Sequence, residues 1–251
     1  MSWSIVRKSL FLVFALLGFA HPAWANFQTL QPGLDYQEIP LENSGTTLHV
    51  LRIDLNHFTI KPIVVGSAGS TALTVKEMAG KAGAVAVINA NFFDPDKKPL
   101  GLVLRDGKIL NGFHATSWWA SLLIKGNQAR ITKVFEKSKL SGYEQGIQAG
   151  PRLIVGGAPP KLKKEASPKS AIGIDKKGRV VLAATLGRVE ISELAELLAR
   201  PQSQGGLGLT QALNLDGGSS TQFFLHSGDM QVYLPGLTKV PVGLGVFPKN
   251  S

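Results

Sequence analysis

Residues 47–54, TLHVLRID, alternate between polar and apolar side chains, and residues 58–65, FTIKPIVV, are apolar and β-branched. A period of two places every second side chain on one face, so both stretches read as strands. The pattern then changes. Thr74 stands three residues before Glu77, a capping box that predicts a short helix running to about Ala79 or Lys81, with Gly80 and Gly83 available to end it. Residues 84–89, AVAVIN, form a short continuous apolar run and read as a buried strand.

The middle of the chain is rich in hairpin signals. Asp106-Gly107 separates 102–105 from 108–110, residues 125–128 separate 121–124 from 129–134, and Lys177-Gly178 lies between 170–174 and 179–184. Residues 157–168 are polar, contain prolines and read as an exposed loop. A second helix is expected from Ser192, as N-cap, to Ala199, with Glu193 in its first turn and Pro201 stopping it. The glycine-rich loop SQGGLG leads into a buried strand, TQALNL, and TQFFL, QVYL and VGLGVF supply further strands. Many strands, hairpin connections and two main helices predict an α+β fold, a single domain with a mixed, largely antiparallel sheet core.

One order of parts occurs twice. Residues 74–94 and 192–218 each run from helix to glycine-containing loop to buried strand, then to Asn-Ala-Asn or Asn-Leu-Asp. If this is a repeat, Asn89/Asn91 and Asn214/Asp216 reach the same end of one sheet.

Composition narrows the setting. Arg7 and Lys8 precede an apolar run at 9–20, and Ala23-Trp24-Ala25 fits a small-x-small cleavage site, so residues 1–25 read as a secretory signal. The run is shorter than the roughly 20 residues a membrane span needs. Removal of these 25 residues leaves 226, one domain of generous size, at 26–251. No cysteine is present, which excludes thiol nucleophiles, thiolate metal sites and disulfides. An exported, periplasmic protein that relies on core burial fits these features. The formal charge is +10, of which Arg7 and Lys8 carry two, leaving +8 on the mature chain. A basic surface favours anionic partners. The export signal and the absence of a recognition motif argue against nucleic acid.

Three segments carry candidate chemistry. In NANFFDPDKKPLGLVLRDG, Asn89, Asn91 and Asp94 follow a buried strand, although Asp94-Pro95-Asp96 is also a good turn sequence. In QAGPRLIVGG, the Gly150-Pro151 break precedes Arg152, which suits a phosphate clamp or a solvated strand start equally. In ALNLDGGSST, alternation places Asn214 and Asp216 on one face. There Gly217 and Gly218 allow close backbone approach, and Ser219, Ser220 and Thr221 add hydroxyls. A plain hairpin needs only Asp-Gly, so this last segment favours a site over a turn. Histidines 49, 57, 114 and 226 are scattered, and no phosphate loop or G-x-S-x-G elbow occurs.

Together with PKSAIGID and ISELAELL, these segments resemble the phosphodiester glycosidase family, best over 84–248. That domain occurs in the animal uncovering enzyme, which removes N-acetylglucosamine from a phosphodiester, and in exported bacterial proteins related to exopolysaccharide. The resemblance implies hydrolysis of a sugar-1-phosphodiester at the anomeric carbon, on cell-surface or exopolysaccharide glycans. On that reading Asp216 is the main carboxylate and Asp94 the second. Gly150, Arg152, Lys169, Ser170 and the Gly217–Thr221 stretch face phosphate or sugar, and Asn89, Asn91 and Asn214 orient the sugar. Two positions depart from the family: Lys169 stands where relatives have arginine, and Gly218 runs directly into Ser219 where relatives often have another glycine. No cofactor is required. A divalent cation is compatible with the oxygen donors Asp216, Asn214 and Asp94, though no ligand spacing demands one. The competing reading is a non-catalytic glycan-binding or assembly factor using the basic surface and Trp118-Trp119.

Overall fold

The computed structural model describes residues 26–66, 72–133 and 136–249. The signal segment expected at 1–25, and Val134 at the end of an expected strand, lie outside them. The first half of the chain forms β1 (Gln28–Gln31), β2 (Leu34–Leu41), β3 (Thr46–Ile53), β4 (Phe58–Val64), α1 (Val75–Ala82), β5 (Ala86–Asn89), β6 (Val103–Arg105), β7 (Lys108–Asn111), β8 (Ala120–Lys125) and β9 (Gln128–Thr132). The second half forms β10 (Gln145–Ala149), β11 (Arg152–Ile154), β12 (Ala166–Asp175), β13 (Val180–Glu190), α2 (Ile191–Ala199), β14 (Leu209–Asn214), β15 (Phe223–Ser227), β16 (Met230–Leu234) and β17 (Val242–Pro248).

The fold is α+β with antiparallel sheets. The first sheet runs β1-β2-β3-β13-β12-β14-β11, the second β7-β6-β10-β8-β9, and the third β16-β15-β5-β17-β4. Their inner faces share one core: Leu51, Leu182 and Leu213 come from the first sheet, Leu122 and Ile147 from the second, and Ile88, Phe223 and Leu244 from the third. Alternation along each strand serves the outer faces. Ala212, next to Leu213, turns the other way and packs with Leu194 and Leu198 of α2. Met78 of α1 covers Val87 and Phe224 on the outside of the third sheet.

Local chemistry explains most boundaries. Thr74 and Glu77 make the reciprocal capping box, and Gly83 ends α1 in the left-handed conformation at φ 70°. Asp106 (φ 49°) and Gly107 (φ 74°) form the tight turn between β6 and β7.

Three expectations are corrected. Helix α2 begins at Ile191 with Glu190 as its cap residue, not at Ser192, and no side chain caps it. Strand β13 runs directly into the helix, and the Ile191 N–H is satisfied by the Glu165 carbonyl at 3.1 Å. The loop expected at 157–168 ends earlier, because residues 166–168 belong to β12, with Ala166 opposite Glu190 and Ser167 opposite Val189. Pro168 falls at the ladder irregularity between Ser167 and Lys169, where its missing N–H is tolerated. Finally, β5 and β14, the strands of the repeated pattern, lie in different sheets. Their ends meet across the boundary between the sheets instead of sharing one.

Candidate active site

Where β14 ends, the backbone leaves its own sheet. The Leu215 N–H donates to the Ser170 carbonyl at 2.9 Å, still along β12, but the Asp216 N–H donates to the Ala90 carbonyl at 3.0 Å, beyond β5. Asn89 fastens this crossing. Its Oδ1 accepts from the Ser170 hydroxyl at 2.6 Å and from the Gln222 N–H at 3.0 Å, and its Nδ2 donates to the Asp216 carbonyl at 2.7 Å. The side chain is buried and both ends of its amide are engaged, so Asn89 and Ser170 build the site from beneath.

Asp216 stands on this platform, partly buried. Burial pushes its pKa up to about 6, against the opposing influence of the Ser220 hydroxyl, the Gly217 N–H and the charge of Lys97. Gly217 is extended, and a Cβ there would come within 3.0 Å of the Pro168 carbonyl. Gly218 takes the left-handed conformation at φ 60° and opens a short 3₁₀ turn. The Ser220 and Thr221 N–H groups close this turn onto the Gly217 and Gly218 carbonyls, both at 3.2 Å. The exposed Ser219 accepts the Leu237 and Thr238 N–H groups on its carbonyl, at 2.9 and 3.0 Å. The N–H groups of Gly218 and Ser219 have no protein acceptor among the described residues.

Four polar atoms nearby are buried without a hydrogen-bond partner: Asn91 Oδ1, Asn214 Oδ1, Thr221 Oγ1 and Trp119 Nε1. Such atoms are rare in folded proteins and mark unused bonding capacity. They come from the ends of different strands: Asn91 follows β5, Asn214 ends β14, Thr221 precedes β15 and Trp119 precedes β8. Asn91 Nδ2 lies 3.1 Å from the Gln148 carbonyl, and from those of Leu100 and Leu102. Asn214 Nδ2 donates to Gly150 at 3.2 Å and to Leu215 at 2.7 Å. A Cβ on Gly150 would meet the Trp119 ring at 2.7 Å, so only glycine fits. Trp119 in turn stacks on Phe92 at 5.2 Å and tilts against His114 at 4.8 Å.

Asp94 and Lys169 have side-chain partners of their own. Asp94 holds a turn: its Oδ1 accepts the Lys98 N–H at 2.8 Å, and its carbonyl accepts the Lys97 N–H at 3.0 Å. Arg152 pairs opposite Leu213 and lines a separate groove with Arg130, Thr132 and Gln211. Lys169 is buried, with Nζ 2.5 Å from the Ser167 hydroxyl. Burial pushes its pKa down, Glu165 opposes this and Arg188 adds to it. No cluster of three or more His, Asp or Glu side chains suited to a metal occurs among the described residues.

Two residues that the sequence reading did not single out belong here. Lys97 reaches the site electrostatically. Gln222 ties it to α1, with Oε1 accepting the Val75 N–H at 3.1 Å and Nε2 donating to the Thr238 carbonyl at 2.8 Å. The available signal was position alone: Gln222 directly follows the hydroxyl run, and Lys97 follows Asp94-Pro95-Asp96.

Comparison with known proteins bears on the fold and the family. The chain resembles the catalytic domain of zebrafish N-acetylglucosamine-1-phosphodiester alpha-N-acetylglucosaminidase, in a form auto-inhibited by its pro-peptide, with TM-score 0.67 and 17% identity over 90% of this chain and 87% of that one. It resembles a hypothetical protein from Synechocystis with TM-score 0.66 and 15% identity, covering 90% of this chain but 64% of that one. A Burkholderia pseudomallei protein named for its expected export gives TM-score 0.55 and 14% identity, covering 81% and 74%. No curated protein is close enough in sequence to count as a match. At these identities the solved structures speak for the fold alone. The sequence model of the phosphodiester glycosidases, in contrast, matches residues 82–247, a stretch that contains the Asn89 clamp, the Gly150 turn and the Asp216 loop, and the chain therefore belongs to the phosphodiester glycosidase family.

Proposed function

We propose that this protein is an exported hydrolase that cleaves a sugar-1-phosphodiester at the anomeric carbon, on a cell-surface or exopolysaccharide glycan. The carrying observation is the Asp216 loop, where a half-buried carboxylate stands beside unpaired backbone N–H groups. With its pKa at about 6, Asp216 is ionised at neutral pH and can accept a proton as pH falls only slightly. That suits a group that polarises water and stabilises positive charge on a sugar ring. In the reaction, water oxygen bonds to the anomeric carbon and the carbon–oxygen bond to phosphate breaks. The electron pair leaves with the phosphate monoester, and the water proton passes to Asp216. Because the leaving group is a weak base, a strong general acid is not needed, and a single well-placed carboxylate is sufficient. Phosphate is served by the Gly218 and Ser219 N–H groups. The exposed Ser219 provides polar surface for the sugar, while Asn91, Asn214, Ser220 and Thr221 are buried and support the loop.

Export is supported by the basic n-region, apolar run and cleavage pattern of residues 1–25, and by the name of the Burkholderia neighbour. The test is release of free sugar from the phenyl ester of a sugar 1-phosphate or from a UDP-sugar. Turnover by the natural chain and none by Asp216→Asn supports the reading; full turnover by Asp216→Asn removes Asp216 from it. One observation favours the non-catalytic alternative: Trp118 is 53% exposed, edge-on to Trp119 at 5.6 Å, and offers a flat apolar surface to a sugar. Glycan binding without sugar release would select it.

A further inference from the structure

The cations expected to hold phosphate, Arg152 and Lys169, are directed elsewhere, the first into a separate groove and the second onto Ser167. A diester bound at the Asp216 loop still carries a negative charge, and Lys97 is in place to meet it.

Lys97 has contacts at both its backbone and its side chain. Its backbone lies in the left-handed region at φ 63°, one of two such non-glycine residues among those described. That conformation is uncommon for a long side chain and persists where neighbouring bonds enforce it. Here the enforcing group is Asp94, which binds the Lys98 N–H with its carboxylate and the Lys97 N–H with its carbonyl. The Asp94 turn therefore aims the residue. The side chain crosses the Phe93 ring, with Nζ 4.4 Å from the ring centre, and donates to the Lys239 carbonyl at 3.3 Å.

This tether locates the ammonium. Lys239 follows Thr238, whose N–H is bonded to the Ser219 carbonyl and whose carbonyl is bonded to Gln222. Lys97 is thus fastened to the connection between β16 and β17, which borders the Asp216 turn. It is also near enough for its charge to favour the ionised form of Asp216. An ammonium has three donors, and the Lys239 carbonyl uses one. Lys239 itself differs, since its own ammonium turns away to Glu77 at 3.2 Å.

We propose that Lys97 is the phosphate-holding cation of this site, closing over a phosphodiester whose other oxygens bind the Gly218 and Ser219 N–H groups. The inference rests on the glycosidase reading for the nature of the substrate, but phosphate binding tests it separately. It also gives Asp94 a part as a positioning residue, acting through Lys97.

The experiment is calorimetric titration of the full chain with methyl phosphate at low salt. Lys97→Asn removes the charge while suiting left-handed backbone, Lys97→Arg keeps the charge, and Lys239→Met is the control. We expect methyl phosphate to bind the natural chain, Lys97→Asn to weaken binding about tenfold or more, and Lys97→Arg to retain most of it. Lys239→Met should bind as the natural chain does, and salt should weaken the natural chain more than Lys97→Asn. Equal binding by the natural chain and a folded Lys97→Asn, or no binding by either, overturns the assignment. Failure of the natural chain to release sugar from any phosphodiester, with the Lys97 effect on methyl phosphate intact, defeats the glycosidase reading and leaves Lys97 in place.

Discussion

Asp106-Gly107 and Asp216-Gly217 are the same dipeptide in two settings. The first joins β6 to β7, with both residues in left-handed backbone. Its carboxylate is half exposed beside Lys61 at 3.2 Å and Arg105 at 3.5 Å. A hydrogen bond from Gln145, with help from Lys61 and Arg105, pulls the Asp106 pKa down. The second ends a strand buried on both faces. Gly217 is extended, the left-handed role passes to Gly218, and burial pushes Asp216 up to about 6. A turn puts its carboxylate where water and cations favour the charge. A site keeps its carboxylate where protein surrounds it, so that proton affinity rises.

The comparison is broken most decisively by activity. Asp216→Asn should lower sugar release by about a thousandfold or more, whereas Asp106→Asn should leave it unchanged. A steady-state assay on both variants decides this, provided circular dichroism confirms that each is folded. The same carboxylate should govern pH dependence, with kcat/KM falling as pH drops through about 6, where Asp216 takes up its proton.

Stability should separate the two pairs next, and with opposite sign. The pKa of Asp216 is higher in the folded than in the unfolded chain. Its favourable contribution is complete below the unfolded value and lost as pH rises through about 6. Asp216→Asn, which mimics the protonated form, should therefore raise thermal stability at pH 8, by at most about 3 kcal/mol, and have little effect at pH 4. The pKa of Asp106 is lowered on folding, so its contribution is present above the unfolded value and fades as pH falls. Because the group is largely solvated, Asp106→Asn should cost under about 1 kcal/mol at pH 7, and less in acid. Thermal melts of both variants at the two pH values measure each sign.

The smallest test concerns the glycines. Gly107 and Gly218 both have positive φ and open space at the Cβ position. Alanine at either should cost about 1 kcal/mol from backbone conformation alone. Gly218→Ala should also weaken methyl phosphate binding, by moving its N–H, while Gly107→Ala should not. Equal binding by both would mean that the Gly218 N–H is not a phosphate donor.

Local patterns were readable where the decisive bonds are local. The Thr74–Glu77 box and the Asp106-Gly107 turn concern residues within a few positions of one another, and both formed as expected. The start of α2 departs from its local signal because its first N–H is satisfied by Glu165, well upstream along the chain. The same limit governs the site. The motif around Asp216 was visible as a cluster of residue types, but which of its polar atoms remain open depends on distant partners. Asn89 pairs with Ser170, Asp216 and Gln222, so its amide is consumed by neighbours whose proximity no spacing reveals. Asp94 and Arg152 carry the residue types of a site, yet one secures a turn and the other lines a different groove. Lys97 is inconspicuous in the sequence for the converse reason: lysine is common, and only the fold brings this one to the Asp216 loop.

The Asn89 crossing has a bearing on how the protein could be divided. One amide holds the first sheet to the third through Ser170, Asp216 and Gln222, and neither sheet alone contains all the groups it joins. A fragment ending after β9 could retain secondary structure and would own no half-competent pocket. Co-expressed halves should regain phosphate affinity only once they dock, and the Asp216 amide, bonded to Ala90 across the seam, should become protected from deuterium exchange as they do. The seam thus makes the pocket an internal reporter of completed assembly, silent until distant parts of the chain have found each other.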